Sequence, residues 1–506
     1  MGNIVFINPA VDKYAEVKLW ASELMDYVSG KQRTVLPRLA PMIMKALTPE
    51  KYNFTFIDEE VEDIDFDNIN ADLVAITSMT IQANRAYEIA AEFRKRGVTV
   101  IMGGIHVSVL PDEALLHADA VCIGEGENVW PEMLKDFEAG ELKPKYDAKD
   151  YPPVEELVTP CVDIIKPDHY SMFPVMATKG CPYECDFCSI KYSSGSKIRM
   201  KPVSQVMKEI QDMERHNTGL FKKGYQFVDD NLYINREYTK ELFTELKKQN
   251  IFWQGQGTLN TVKDDEIIQL MAESGCRSYS IGFESISEAS LKEVNKSSNQ
   301  IAEYENAIQK LIKHGITPAG FFIFGFDSDD KTVFEKTLAY IKNTRILNPY
   351  FSILTPYPGT RVYKRVEERI FDHKWSRYGA VYSVYTPTNM TPEELMLGTH
   401  WISREVADID TIKSQLEYFW SQGPWKTNPG LKLKERIALI AIALKLGRKE
   451  KYKVYRRFLL WAATHKKAVD PYMIVTAIVF NEVTQKQFKD GRNPAESTPI
   501  EASAGH

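Results

Sequence analysis

Apolar residues in the first quarter of the chain fall in short β-branched runs. Residues 4–7, 54–57, 73–77, 98–102 and 120–123 form five such runs, while residues 85–96 place apolar positions at helical spacing and stop at Gly97. Unbroken apolar strands separated by helices belong to a parallel sheet covered on both faces. Residues 1–140 are therefore predicted to form a Rossmann-like, doubly wound α/β domain. Ligands of such sheets bind outside the carboxyl ends of the strands. Those ends carry Ser78-Met79-Thr80, Gly103-Gly104-Ile105-His106 and Gly124-Glu125-Gly126-Glu127. Glycines admit a backbone close to a large flat ligand, and the hydroxyls and amides supply hydrogen bonds. No GxGxxG follows the first strand and no phosphate-binding loop is present, which counts against a dinucleotide or a nucleoside triphosphate. From the residues alone, these glycines serve equally well simply to turn the chain.

Residues 141–167, rich in Pro, Lys, Asp and Glu with Tyr151-Pro152-Pro153 at their middle, read as a linker. Strand and helix patterns then alternate six times. Strands are predicted at 174–178, 225–228, 252–256, 278–283, 320–324 and 350–354, with helices such as 203–215 and 264–274 between them. Six βα units over residues 168–372 predict a partial TIM-type (β/α)6 barrel with its site at the carboxyl ends of the strands. The segments after those strands are a cysteine loop, Asp229-Asp230-Asn231, residues 254–258, Gly282-Phe283-Glu284-Ser285, Gly325-Phe326-Asp327 and Thr355-Pro356-Tyr357-Pro358-Gly359-Thr360. Buried carboxylates need partners, so Asp229 and Asp230 are ligand contacts or are paired with cations, and an Asp-Asp-Asn turn also serves as a helix cap. Asp229, Tyr357 and His314 are candidate general bases, none singled out by its neighbours.

Residues 373–492 read as a mostly helical domain that opens on the aromatic-rich stretch 375–386. Thr391-Pro392-Glu393-Glu394-Leu395 has a capping Thr, Pro at the first helical position and acids in the first turn. Between 430 and 467 twelve Lys or Arg face two Glu, interleaved with Ile, Leu, Phe and Trp. Two readings stay open: helices lying on an anionic membrane surface, or a solvated basic face on helices packed against the barrel. Residues 493–506, rich in Pro, Ser, Glu and Ala, read as a disordered tail.

The chain has 506 residues, too many for one core, and its 44% hydrophobic and 26% charged content with net charge −6 gives no general pull toward nucleic acid. It opens directly on a strand pattern, and its apolar stretches fall short of the roughly 18 residues of a spanning helix. A cytoplasmic protein is expected. Cys122, Cys161 and Cys276 are scattered, whereas Cys181, Cys185 and Cys188 stand as CxxxCxxC in Lys179-Gly180-Cys181-Pro182-Tyr183-Glu184-Cys185-Asp186-Phe187-Cys188-Ser189. Three thiolates hold a [4Fe–4S] cluster by three irons and leave one iron without a protein ligand. Zinc sites show paired spacings with four ligands in reach, and no His or fourth Cys lies in the motif. An odd number of cysteines disfavours a disulfide.

The CxxxCxxC spacing with Phe187 before the last cysteine resembles the signature of the radical S-adenosylmethionine (radical SAM) superfamily, and the glycine-edged sheet before it resembles the cobalamin-binding domain of one large class in it. That class includes hopanoid methylases, bacteriochlorophyll side-chain methylases and a related ring cyclase. The resemblance implies three cofactors: a [4Fe–4S] cluster on Cys181, Cys185 and Cys188, S-adenosylmethionine on its open iron, and cobalamin against Ser78, Thr80, Gly103, Gly104, Gly124 and Glu125. It further implies that Glu284 binds the ribose or the methionine amino group, that the 320–325 strand, through Gly325, offers its backbone to the adenine, and that Phe187 packs against it. The DxHxxG motif that supplies a cobalt-ligating histidine is missing, so the cobalt would lack that ligand; His106 is more simply a hydrogen-bonding residue. The implied activity is methyl transfer to an unactivated carbon of a large apolar molecule of tetrapyrrole or hopanoid type, with flavodoxin or ferredoxin as reducing partner. A radical cyclase without methyl transfer and a non-catalytic cobalamin sensor are the alternatives.

Overall fold

The computed structural model describes residues 2–11, 34–148, 158–218, 222–296, 299–422, 433–446 and 453–464. The expected tail at 493–506 and the middle of the expected linker lie outside them.

The N-terminal sheet contains β1 (Asn3–Asn8), β2 (Asn53–Asp58), β3 (Leu73–Thr77), β4 (Thr99–Gly103), β5 (Ala120–Gly124) and β6 (Lys145–Ala148). All are parallel, in the order β2-β1-β3-β4-β5-β6. Buried side chains on both faces, such as Phe6 on one and Val5 on the other, explain why the strands read as unbroken apolar runs. Chain direction across the sheet reverses between β1 and β3, so the crevice for a ligand opens at their carboxyl ends. Strand β6 falls inside the segment read as a linker. Its sequence Lys-Tyr-Asp-Ala buries only Tyr146 and Ala148, the alternation of an edge strand, which continuous apolar patterning misses.

The second sheet is built from β7 (Met172–Val175), β10 (Gly224–Phe227), β11 (Trp253–Gly257), β12 (Cys276–Glu284), β13 (Thr317–Phe324) and β14 (Asn348–Ile353). Its order is β14-β13-β12-β11-β10-β7, all parallel, and β14 does not pair with β7. The result is the expected (β/α)6 partial barrel. The first predicted strand is split, however. Strand β7 ends at Val175, and a separate strand β8 (Thr178–Lys179) pairs antiparallel with β9 (Arg199–Met200).

Beyond the barrel the helices Pro392–Val406, Ile409–Ser421, Leu433–Lys445 and Lys453–Thr464 follow. The first is capped by Thr391 and Glu394 in a reciprocal box, as its sequence predicts. The stretch 375–386 is not helical: after the single turn Trp375–Arg377 the chain is irregular, with Tyr385 bridging Ile370. Its first aromatic residue, Trp375, sits at an interface, and Tyr385 packs within the barrel. Trp375 lies edge-on to His106 at 5.2 Å between ring centres and donates to Glu113 at 2.7 Å, so this segment locks the N-terminal domain to the barrel.

Gly104 has φ +98°, and a β-carbon there would fall 2.6 Å from the Ser78 carbonyl oxygen. Gly104→Ala is predicted to cost roughly 3 kcal/mol or more in urea unfolding, from strain and overlap combined; a loss below about 1 kcal/mol would show that the loop relaxes freely.

Candidate functional site

Loops from the carboxyl ends of both sheets meet. The cysteine loop is the excursion between β8 and β9, which close its base by pairing Thr178 with Met200 and Lys179 with Arg199. Gly180, at φ +91°, stacks its backbone against Lys197, where a β-carbon would fall 2.4 Å from the carbonyl oxygen. Cys181, Cys185 and Cys188 carry free, half-buried thiols around one concavity, bordered by Tyr183, Asp186, Ile190 and Thr360. Burial pushes all three thiols upward, Cys188 to about 11. Thiols so protonated bind iron only as their protons are displaced. The counter-charge is at hand: Lys296 lies beside Cys185 and pairs with Glu284 at 3.2 Å. Burial lowers its ammonium, but Glu284 and Cys185 outweigh that and hold it above the ordinary range. Three thiols in one loop, a buried cation and no fourth cysteine in the loop fit a cluster with one open iron. Among the described residues, no three His, Cys, Asp or Glu side chains are arranged to hold a single metal ion.

Glu284 ends β12 in the left-handed region, φ 63°, after a register shift between Gly282 and Glu284. A buried non-glycine residue held there is the kind of local strain that gathers at ligand sites. Lys296 went unnoticed in the sequence because no spacing marks a lone lysine after a helix. Gly325, φ +104°, donates its N–H to Asp329 at 3.0 Å and accepts from Tyr385, so its own backbone groups are engaged within the chain rather than offered to an adenine; a β-carbon would meet Leu395 at 2.8 Å. Phe187 packs in a cluster with Ile323, Phe326 and Leu354, against the end of the 320–325 strand.

Asp229 is fully buried. Its Oδ1 accepts from Ala177 N at 3.1 Å, from Thr178 N and from Thr178 Oγ1 at 2.8 Å. Its Oδ2 and both polar atoms of the Asn231 side chain are buried without a hydrogen-bond partner among the described residues, a polar set that water-free burial makes costly unless a ligand meets it. Asp230 instead accepts from Gly180 N at 2.8 Å and so steadies the cysteine loop. Tyr357 follows β14 at the same end of the barrel, its hydroxyl pushed up to about 12 by burial. His314 does not join the site. It sits after helix Tyr304–Lys313 with its Nδ1 2.8 Å from Lys310 O, at the amino end of β13, the opposite side of the barrel.

On the N-terminal sheet, Ser78 is buried with its Oγ donating to Met79 O, and Thr80 begins the turn Thr80–Gln82. Gly103, Gly104 and Gly124 lie half-exposed at the carboxyl edge, but Gly103 O accepts from Ser78 N, Gly104 O from Ser108 N and Oγ, and Gly124 N donates to Ser108 Oγ, so what they present to a flat ligand is a surface without side chains rather than free hydrogen-bonding groups. The missing side chain of Gly104 is used up by Ser78 rather than left for a ligand. Glu125 points elsewhere: both its oxygens are taken by the Arg199 guanidinium. His106 is buried, its Nε2 2.9 Å from the Tyr87 hydroxyl.

The lumen of the barrel has two unlike sides. On β11, Trp253 packs outward on Phe243, so Gln254 and Gln256 face inward, where Gln254 donates to Gln226 of β10. On β13 and β14, Phe324 packs outward on Phe334 and Phe351 on Phe324, so Phe321 and Tyr350 face inward, 5.4 Å apart. Tyr350 is 37% exposed, yet desolvation raises its hydroxyl, the combination expected of a side chain that lines an internal cavity.

A glycine-edged parallel sheet is set against a partial barrel with three thiols in its first loop, an arrangement that fits a cluster on one side and a large flat ligand on the other. Comparison with known proteins agrees. Residues 175–341 match the model of the radical SAM superfamily and residues 37–134 that of the B12 binding domain. The chain is 35% identical over 385 residues to bacteriochlorophyllide d C-12(1)-methyltransferase of Chlorobaculum tepidum, covering 74% of this chain and 84% of the relative. It is 32% identical over 389 residues to bacteriochlorophyllide d C-8(2)-methyltransferase of the same organism, covering 74% and 85%. In fold it is similar to the cobalamin-dependent S-adenosylmethionine radical enzyme OxsB with aqua-cobalamin and S-adenosylmethionine bound, at TM-score 0.62 and 14% identity over 99% of this chain and 82% of that one. The chain belongs to the B12-binding branch of the radical SAM superfamily, and its cofactors are a [4Fe–4S] cluster, S-adenosylmethionine and cobalamin.

Burial raises Asp229 to about 7 against its many donors, so its ionisation subtracts stability as pH rises from 3.8 through about 7. Asp229→Asn is therefore predicted to gain on the wild type by on the order of 2 kcal/mol between pH 5 and pH 8 in urea melts of the apoprotein; a difference independent of pH would contradict the assignment.

Proposed function

We propose that this enzyme methylates an unactivated carbon of a chlorin-type tetrapyrrole. Cys181, Cys185 and Cys188 would hold the cluster. Glu284, with Lys296 neutralising it, Gly325 and Phe187 would line the S-adenosylmethionine site, and Ser78, Thr80, Gly103, Gly104 and Gly124 would face the cobalamin. When bound, these groups supply a radical that removes hydrogen from carbon and a methyl group to replace it, chemistry that no side chain provides. The chain's own work is to bind, align and exclude water. The observation that carries the substrate class is the lumen: aromatic rings of Phe321 and Tyr350 on one wall suit a conjugated macrocycle, and the amides of Gln226, Gln254 and Gln256 on the other suit its carbonyl or carboxyl edge. The names of the two Chlorobaculum tepidum relatives point the same way. A saturated hopanoid would use neither wall fully. The cluster needs a one-electron donor, and a flavodoxin or ferredoxin fits that need.

The test is binding and turnover with a chlorin against a hopanoid. The chlorin is predicted to quench protein fluorescence on binding and to raise 5′-deoxyadenosine formation, and Tyr350→Ala to weaken its affinity about 10-fold. A hopanoid that binds and is methylated better than any chlorin would overturn the choice.

The working place is proposed to be an anionic membrane surface. Among the described residues no helix is long and apolar enough to cross a membrane. Of the nine large hydrophobic side chains exposed among those residues, five lie on the last two helices, and Leu433, Ile437 and Leu444, at 75%, 57% and 71% exposure, share one helix face. Lys434 and Lys445 flank that face on one side and Arg436 on the other. The protein is predicted to float with phosphatidylcholine vesicles only when phosphatidylglycerol is included, and Ile437→Ser with Leu444→Ser to abolish this. Equal recovery with neutral vesicles, or dimerisation lost in the same variants, would reject the membrane in favour of another occupant.

A further inference from the structure

The loop that holds the cysteines and the loop that was expected to meet cobalamin are joined by a buried cluster of four charges. Lys179 and Arg199 are cross-strand neighbours in the β8–β9 pair, at the neck of the cysteine loop. Glu125 and Glu127 leave the carboxyl end of β5 in the other domain. Arg199 Nη1 lies 2.8 Å from Glu125 Oε2, with Nη2 on the second oxygen, a bidentate pair. Lys179 Nζ donates to Glu127 and lies 3.5 Å from Glu125. None of the four side chains is more than 13% exposed. Burial works against the Lys179 and Glu127 charges, but Glu127 with Glu125 outweighs it for the lysine and Lys179 with Arg199 outweighs it for the glutamate, so both are held ionised.

Two positive and two negative groups cancel inside an interface that excludes water. Such a cluster contributes little net stability compared with apolar packing, but a partner shifted out of place leaves a buried charge uncompensated. It therefore fixes geometry. Arg199 also donates to Ser194 O at 2.9 Å, inside the cysteine loop, so the same guanidinium reaches from the cobalamin domain to the loop's interior.

We infer that Lys179 and Arg199, with Glu125 and Glu127, are positioning residues that set the cysteine loop in register with the carboxyl edge of the cobalamin-binding sheet, so that hydrogen removal and methyl delivery reach the same substrate carbon. This rests on the methyltransferase reading only for its catalytic arm.

The test compares the wild type with Arg199→Gln and with the neutral pair Glu125→Gln/Arg199→Gln, which leaves no uncompensated partner for Arg199. In the apoprotein, hydrogen exchange is predicted to quicken about 10-fold or more at the amides of 124–128 and of 178–181 together in Arg199→Gln. In the loaded enzyme, iron content and cobalamin stoichiometry are predicted to stay, and 5′-deoxyadenosine formation to stay within about 3-fold, while methylated product per 5′-deoxyadenosine falls about 10-fold or more. Arg199→Lys is predicted to restore part of that ratio. Exchange that quickens in only one of the two loops would overturn the inference, whatever the substrate proves to be. So would an unchanged product ratio, or an equal fall of both products with loss of iron. Quickened exchange with no methylated product even in the wild type would leave the register standing and reject the methyltransferase reading instead.

Discussion

Everything in this molecule depends on two parallel sheets meeting at their carboxyl ends. A parallel sheet gathers its loops at one edge because every crossover helix returns the chain to the other. Facing two such edges brings the residues after β5 against the β8–β9 neck of the cysteine loop, and Val109, in the segment after β4, against Gly359, in the segment after β14. The contact joins an apolar cluster that runs from one sheet to the other with buried polar pairs. Arg199 grips Glu125 and Lys179 grips Glu127, Tyr170 donates to Asp58 at 2.8 Å, and Trp375 spans to Glu113. An apolar contact of equal area would hold the sheets together but would tolerate sliding; paired buried charges tolerate it far less.

The same contact explains the chemistry that the site can support. Radical reactions need closely set partners and no competing water. The thiols of the cysteine loop are half-buried beside the Lys296–Glu284 pair, and the unpartnered Asp229 and Asn231 atoms lie at the end of the neighbouring strand. These groups are unfavourable in a ligand-free core and become favourable when ligand atoms complete them, which is how a fold commits stability to a binding site.

Much of this was legible in the sequence, for physical reasons that can be named. Strands covered on both faces must be continuously apolar, so β1, β3 and β5 declared themselves, and ligating cysteines must be spaced in sequence to surround one cluster. Edge strand β6 was missed because only every second residue is buried, and the aromatic stretch 375–386 imitated a helix because its buried rings follow tertiary contacts rather than a period. Glu125 was read as facing a ligand because it follows a sheet edge; its actual partner, Arg199, is 74 residues away and carries no motif. Lys296 was hidden in the same way. His314, a candidate base, follows a helix and precedes β13, which puts it at the amino end of the barrel, away from the site.

Radical methyl transfer is tested most directly by the balance of products from one anaerobic turnover. With cluster, cobalamin, reductant and a chlorin supplied to the full chain, 5′-deoxyadenosine, S-adenosylhomocysteine and methylated chlorin are predicted to accumulate in equal amounts. A modified chlorin formed with 5′-deoxyadenosine but without S-adenosylhomocysteine would contradict methyl transfer, and S-adenosylhomocysteine formed without 5′-deoxyadenosine would contradict the radical at its source.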